Sequence, residues 1–271
     1  MSTPQHQMQQ PAAPAPNWQG APGTSYTSPI PVTRTHLGHA LASEWTKIKS
    51  VRSTMWTLGA FLLLVVGIGF LVAAHLTETG YDDSPYTLPA FSGLLLGQLC
   101  LITLGVLVIS SEYGTGMIRA TFTASPQRHR VLTAKLLIFF VVAFVVSALA
   151  IGVVGLITSG MDGGTSDTPW GGTVLMGALY VSLLGVLALA VGSMLRHSAG
   201  AITAMLGVVL VPAVLPLMPK KMMEYNAPNA LAQIFHLDSE GGNGGPQLVF
   251  LAVVTAAAIA GAYVLLEKRD V

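Results

Sequence analysis

The sequence predicts an all-α polytopic membrane protein with six transmembrane helices, and two observations carry this prediction. Charged residues make up only 9% of the chain, whereas soluble domains average about 25%. These few charges lie between apolar runs of roughly 20 residues, the helix length that crosses about 30 Å of hydrocarbon. Six such runs occur, at approximately 55–76, 91–110, 136–159, 171–195, 198–218 and 247–266.

The chain before the first run divides into two parts of different composition. We expect residues 1–36 to be a disordered tail, because they are rich in Pro, Gln and Ala and nearly lack charge and large aliphatic side chains. Residues 37–271 then form the six-helix membrane domain. At its start, one helical face collects apolar residues while Lys and Ser lie off that face. A helix with this pattern lies in the membrane interface. The alternative is a helix that packs on the surface of a cytoplasmic domain. The apolar face comprises Leu37, Leu41, Trp45, Ile48 and Val51.

The distribution of Lys and Arg predicts the orientation. With the N-terminus in the cytoplasm, eleven of the 13 basic residues fall on cytoplasmic segments, and only Lys220 and Lys221 lie outside. Because positive charge accumulates on cytoplasmic loops, we expect a multi-pass cell-membrane protein with both termini in the cytoplasm.

Residues 110–135 form a polar, basic interruption between the second and third spans. Gly114 and Gly116 permit a sharp turn, since glycine adopts positive φ without steric cost. Apolar residues then recur at helical spacing from Met117 to Phe122. Ser125 and Pro126 are typical of a helix start. The pattern predicts a short amphipathic helix outside the bilayer, which we interpret as a docking element.

The spans themselves contain features of helix packing. Gly93 and Gly97 form a GxxxG motif, which favours close packing within the chain, with a dimer seam as the alternative.

Pro212 and Pro216 predict a kink in the fifth span. The fourth and fifth spans are separated only by residues 196–198, which indicates either a tight helical hairpin or one broken helix. The loop at about 219–246 is predicted to form a compact external cap, with a simple connection between two spans as the alternative.

Several classes of function are not supported by any motif. No lysine follows the glycines of a phosphate-binding GxxxxGK[ST] loop, and no HExxH pair is present. The single cysteine, Cys100, cannot form an internal disulfide or any of the usual metal sites. A net charge of +1 gives no electrostatic case for nucleic acid. No charged residue lies near the middle of a span, which argues against an ion channel or a proton-coupled pump. We therefore expect no enzyme, no cofactor and no nucleic-acid partner.

Residues 37–60 and the run from Glu112 to Arg119 resemble permeases of ABC transporters of the type-2 exporter class, especially those of actinobacteria. The resemblance covers about 37–271 in topology. It implies a transmembrane subunit that forms the substrate path. It also implies a separate ATP-binding subunit, a second permease subunit as homo- or heterodimer, and the lipid bilayer as surroundings.

The same resemblance implies that the segment after the second span is a coupling helix, which docks in a groove of the ATPase. Carried onto this chain, the coupling residues are Glu112, Gly114, Thr115, Gly116, Met117, Ile118, Arg119 and Phe122. Glu112 is expected to pair with Arg119 or with the ATPase. Arg119 is expected to pair with an acidic residue of the ATPase, with attraction to anionic lipid headgroups as the alternative. For Arg128, Arg130 and Lys135 the sequence favours attraction to anionic lipid headgroups. A non-transporting membrane scaffold or accessory protein is the alternative function.

Overall fold

A computed structural model describes residues 36–81, 84–124, 127–161, 169–214, 223–237 and 244–268. Within these ranges the chain is all-helical and contains no strand, which confirms the predicted fold class. The helices are α1 Leu37–Ser50, α2 Arg52–Thr79, α3 Leu88–Gly114, α4 Met117–Ala124, α5 Arg128–Met161, α6 Trp170–Leu195, α7 Ser198–Val214, α8 Ala227–Ile234 and α9 Gly245–Lys268. The predicted tail at 1–36 falls outside these ranges except for His36.

In the part of the chain that the structure describes, five helices are long and apolar enough to cross a membrane, namely α2, α3, α5, α6 and α9. They match five of the six predicted runs. The described apolar part of the remaining run, α7, covers only Ser198–Pro212 and is shorter than a full span. Pro212 lies inside α7, whereas Pro216, the other half of the predicted kink, lies outside the described residues. The protein is therefore a multi-pass membrane protein.

The helices α3 and α6 form the centre of the bundle. Over their most apolar windows, 56% of α3 and 67% of α6 is buried inside the protein, against 22% for α2 and 17% for α9. The two central backbones approach each other at Gly105 and Gly185, where a Cβ on Gly105 would overlap the carbonyl oxygen of Gly185. Small residues thus permit the close helix contact on which the core is built.

The GxxxG motif packs within the chain. A Cβ on Gly93 would overlap the backbone of Val65 in α2, and one on Gly97 would lie against the Val65 and Phe61 side chains. This contact confirms the interpretation of the motif as intramolecular packing between α2 and α3.

The turn between α6 and α7 is a tight hairpin, as one of the two sequence interpretations predicted. Arg196 ends α6 in the left-handed conformation with φ of 55°. The Gly200 amide then donates to His197 Nδ1 at 3.0 Å in the first turn of α7. The two helices pack against each other, so a single broken helix is excluded.

Part of the predicted external cap is the short helix α8. Asn226 caps it by accepting a hydrogen bond from the Asn229 amide at 3.0 Å, and Leu231, Ile234 and Phe235 are fully buried. The Thr87 hydroxyl donates to the carbonyl oxygen of Phe235. Lys220, Lys221 and the glycine run at 241–243 of the same loop lie outside the described residues.

Candidate functional site

The short helix that the sequence predicts after the second span is present as α4, which follows α3 after a two-residue turn. The Thr115 amide donates to the Ser111 carbonyl at 3.0 Å, and the Gly116 amide to the Tyr113 carbonyl at 3.2 Å. Gly116 has φ of 71°, a conformation that costs other residues free energy because of their Cβ. The predicted turn role of glycine is therefore confirmed at Gly116, while Gly114 is the last residue of α3.

Two faces of α4 have different environments. Ile118 is only 4% exposed, and Phe122 is half-buried against the core. The Arg128 guanidinium lies 5.5 Å from the centre of the Phe122 ring. Met117 is 50% exposed, and Arg119 is exposed as well. The helix is thus held to the bundle by Ile118 and Phe122 and presents a second face outward.

We call that second face the α4 outer face. It consists of Met117, Arg119, Ala120 and Thr123, and the exposed turn residues Gly114, Thr115 and Gly116 continue it. Of the eight predicted coupling residues, five therefore lie on one exposed surface, whereas Glu112, Ile118 and Phe122 point into the protein.

Glu112 belongs to a buried ring of four charges beside this surface. Lys47 Nζ lies 2.7 Å from Glu44 Oε1 and 2.9 Å from Glu112 Oε1. Lys135 Nζ lies 2.6 Å from Glu44 Oε2 and 2.8 Å from Glu112 Oε1. We call Glu44, Lys47, Glu112 and Lys135 the charge ring. Its two carboxylates and two ammonium groups alternate, so its net charge is zero.

The charge ring joins three helices that are distant in sequence. Glu44 and Lys47 come from α1, Glu112 from the last turn of α3, and Lys135 from the second turn of α5. The Lys135 ammonium also donates to the Val108 carbonyl at 3.3 Å. Because α3 ends two residues after Glu112, the ring fixes the point from which α4 begins.

Burial makes the members of the ring depend on one another. The side chains of Glu44, Glu112 and Lys135 are at most 7% exposed, while that of Lys47 is 26% exposed. Burial alone would lower the pKa of Lys47, but hydrogen bonds from its ammonium to Glu44 and Glu112, with their negative charges, raise that pKa above its ordinary value. Removing one partner of such a set leaves an uncompensated buried charge, which is strongly destabilising.

Two sequence interpretations are corrected by the ring. Glu112 does not pair with Arg119, because its carboxylate is held by Lys47 and Lys135 instead. Lys135 is 2% exposed and bound to two carboxylates, so it is not a lipid-headgroup contact. Among the described residues no acidic side chain forms an ion pair with Arg119.

Sequence reasoning also missed two members of the ring. Lys47 was placed on the polar side of an interfacial helix, and Glu44 was not considered. The local signal was the i,i+3 spacing of Glu44 and Lys47, which suits an ion pair on a helix. The contacts of Lys47 with Glu112 and of Lys135 with Glu44 span 65 and 91 residues, and no local pattern encodes them.

Helix α1 forms where the sequence predicts an amphipathic helix. Leu37, Trp45 and Val51 of the predicted apolar face are 37%, 43% and 44% exposed, so these side chains are available to lipid. The Lys49 ammonium lies 4.8 Å from the Trp45 ring centre. Ile48, which belongs to the same predicted face, is instead buried against the bundle together with Glu44, so the structure divides that face.

A family model described as ABC-2 family transporter protein matches residues 40–211, which is well over half of the chain. The matched range begins within α1, includes the whole charge ring and α4, and ends within α7. No curated protein matches the sequence significantly.

Proposed function

The chain belongs to the ABC-2 transporter family, and from this premise we propose that it is the transmembrane subunit of an ATP-driven exporter. In this proposal a separate ATP-binding subunit supplies the energy, and this chain carries out no catalysis. A second permease subunit completes the substrate path. The sequence has no phosphate-binding loop, which supports the proposal that another subunit binds the ATP.

The observation that carries the proposal is the arrangement of α4. Its Ile118 face is anchored in the bundle, its outer face is exposed, and the helix that leads into it is fixed by the buried charge ring. A short helix held in this way can transmit a displacement from a docked protein to α3 and α5. We therefore assign coupling to Gly114, Thr115, Gly116, Met117 and Arg119 as contacts, and to Glu112, Ile118 and Phe122 as anchors.

The location proposed for the protein is the cell membrane, with both termini and α4 in the cytoplasm. The basic residues near α1, α4 and the start of α5 support this orientation under the positive-inside rule. An ATP-binding subunit in the cytoplasm would then have access to the α4 outer face.

The proposal is tested by purifying the tagged protein from native membranes in mild detergent and identifying co-purifying proteins by mass spectrometry. We expect a stoichiometric ATP-binding subunit that is lost in Arg119→Glu and retained in Lys49→Glu. Lys49 is a suitable control because it is also an exposed basic residue but lies on α1, outside the α4 outer face. Purification of the wild type without any ATP-binding protein would instead favour a scaffold or accessory protein.

A further inference from the structure

A cavity of about 360 Å³ lies between the junction of α1 with α2 and the last turns of α3. We call it the elbow cavity. Its volume is within the range of small-molecule sites, about 300–1,000 Å³. All four members of the charge ring line it, together with hydroxyl-bearing and aliphatic side chains that include Thr57, Leu104, Leu107 and Ser111.

The charge ring does not use all of its hydrogen-bonding groups. Glu112 accepts from both lysines with Oε1 alone, and its Oε2 is buried without a partner among the described residues. An ammonium group has three donors. Lys135 uses all three, on Glu44, Glu112 and the Val108 carbonyl, whereas Lys47 uses two, on Glu44 and Glu112.

One donor and one acceptor of the ring therefore remain unused, and both belong to residues that line the elbow cavity. A buried carboxylate oxygen without a partner costs free energy. A ligand that satisfies both groups must carry an anionic or strongly accepting group for Lys47 and an N–H or O–H donor for Glu112.

The polarity of the cavity wall changes along α3. Leu104 and Leu107 line one end, and Ser111 and Thr115 the other. Trp45 and Trp56, at 43% and 79% exposed, lie on α1 and in the first turns of α2, and exposed tryptophans of this kind concentrate at the level of lipid headgroups. The cavity is therefore amphipathic at a depth where lipid headgroups meet acyl chains.

We propose that the elbow cavity binds a phospholipid of the adjacent leaflet whose headgroup carries an N–H or O–H donor. The phosphate accepts the third hydrogen bond of Lys47. The headgroup ammonium or hydroxyl donates to the Glu112 carboxylate, whose Oε2 is buried in the protein without lipid and turns toward the cavity to accept it. The upper part of the acyl chain lies against Leu104 and Leu107. The bound lipid thus completes the charge ring, and it lies beside Thr115 and Met117, which also line the cavity.

The test compares phospholipids that differ in the donor. Purified wild-type protein is exchanged into detergent with phosphatidylethanolamine, phosphatidylglycerol or phosphatidylcholine, and the retained lipid is quantified by native mass spectrometry. The first two carry a donor, and phosphatidylcholine carries the same phosphate without one. Because a hydrogen bond to a charged group is lost, we expect phosphatidylcholine to bind roughly tenfold more weakly. Equal retention of all three lipids would overturn the proposal.

A pair of variants on the same helix locates the binding. Leu107→Trp fills the cavity, whereas Leu96→Trp places the same side chain three turns away at a position that is 48% exposed and outside the cavity. We expect Leu107→Trp to abolish the retention of phosphatidylethanolamine and Leu96→Trp to preserve it. If both variants retain the lipid equally, the lipid binds elsewhere and the assignment to the elbow cavity fails.

Discussion

At the scale of single residues, the charge ring accounts for why four ionised side chains are tolerated beside an apolar bundle. Each ammonium group contacts both carboxylates at 2.6–2.9 Å, so each charge is compensated from two sides. The ring is an all-or-none arrangement, because a missing member leaves its neighbours buried with unbalanced charge.

Lys135→Met tests the ring at its most buried cation. The substitution leaves two carboxylates with one ammonium group, and we expect the free energy of unfolding to fall by about 3–5 kcal/mol. Lys49→Met is the control, since Lys49 is exposed and loses only its contact with Trp45, worth about 0.5–1 kcal/mol. Thermal unfolding of the two purified variants distinguishes these outcomes, and equal losses would contradict the account.

Gly116→Ala tests the turn before α4. Because Gly116 has φ of 71°, a Cβ there costs roughly 1–2 kcal/mol even though the space around it is open. Gly114→Ala, two residues earlier on the helix, also meets open space but requires no left-handed conformation. We expect only Gly116→Ala to lower the unfolding temperature, and a loss of similar size in Gly114→Ala would show that the turn conformation is not the cause.

At the scale of elements, α4 is a short helix that depends on its contacts with the bundle. Isolated helices shorter than about 12 residues are marginal in water, and α4 has eight residues. Its stability must come from Ile118 and Phe122 packing against the core, so these residues keep the outer face presented in one orientation.

Ile118→Ala tests this anchoring. Ile118 is 4% exposed, so truncation should destabilise the packing of α4 by about 2 kcal/mol or more. We expect faster amide hydrogen exchange over residues 117–124 while exchange in α3 and α6 is unchanged. Met117→Ala, at a half-exposed neighbouring position, should leave exchange nearly as in the wild type. Unchanged exchange in Ile118→Ala would mean that α4 is held by something other than this contact.

Much of this element could be predicted from the sequence because its signals are local. The glycines, the spacing of apolar residues from Met117 to Phe122 and the break between two apolar runs all predicted a short helix at this place. The sequence could not divide the predicted coupling residues into outward and inward sets. Glu112 points inward because of Lys47 and Lys135, and those contacts are made by chain folding over long sequence separations.

At the scale of the whole molecule, α3 and α6 form a central pair, and the ring and α4 both lie at the end of α3. A displacement of α4 is therefore applied directly to one of the two most buried helices. Besides the charge ring, a contact between Tyr113 and the α6–α7 turn also holds the end of α3 to the bundle. The Arg196 guanidinium lies 5.0 Å from the centre of the Tyr113 ring.

The overall architecture was the part best predicted from the sequence, since five of six apolar runs correspond to helices of membrane-spanning length. The remaining run corresponds to α7, which is described as far as Val214 and contains Pro212. The end of the predicted run, at 215–218, lies outside the described residues.

The measurement that tests the coupling assignment most directly is site-specific crosslinking from α4 in native membranes. The chain has one cysteine, Cys100, so Cys100→Ser provides a background for single cysteines at Arg119 or Thr123 on the outer face. Ile118→Cys serves as a control at a buried position of α4. Thr77→Cys serves as a control at an exposed position near the C-terminal end of α2, on the opposite side of the bundle. We expect Arg119→Cys and Thr123→Cys to crosslink to an ATP-binding subunit, and the two controls not to. Crosslinks absent from both outer-face positions, or equally strong from Thr77→Cys, would contradict the assignment of α4 as the coupling helix.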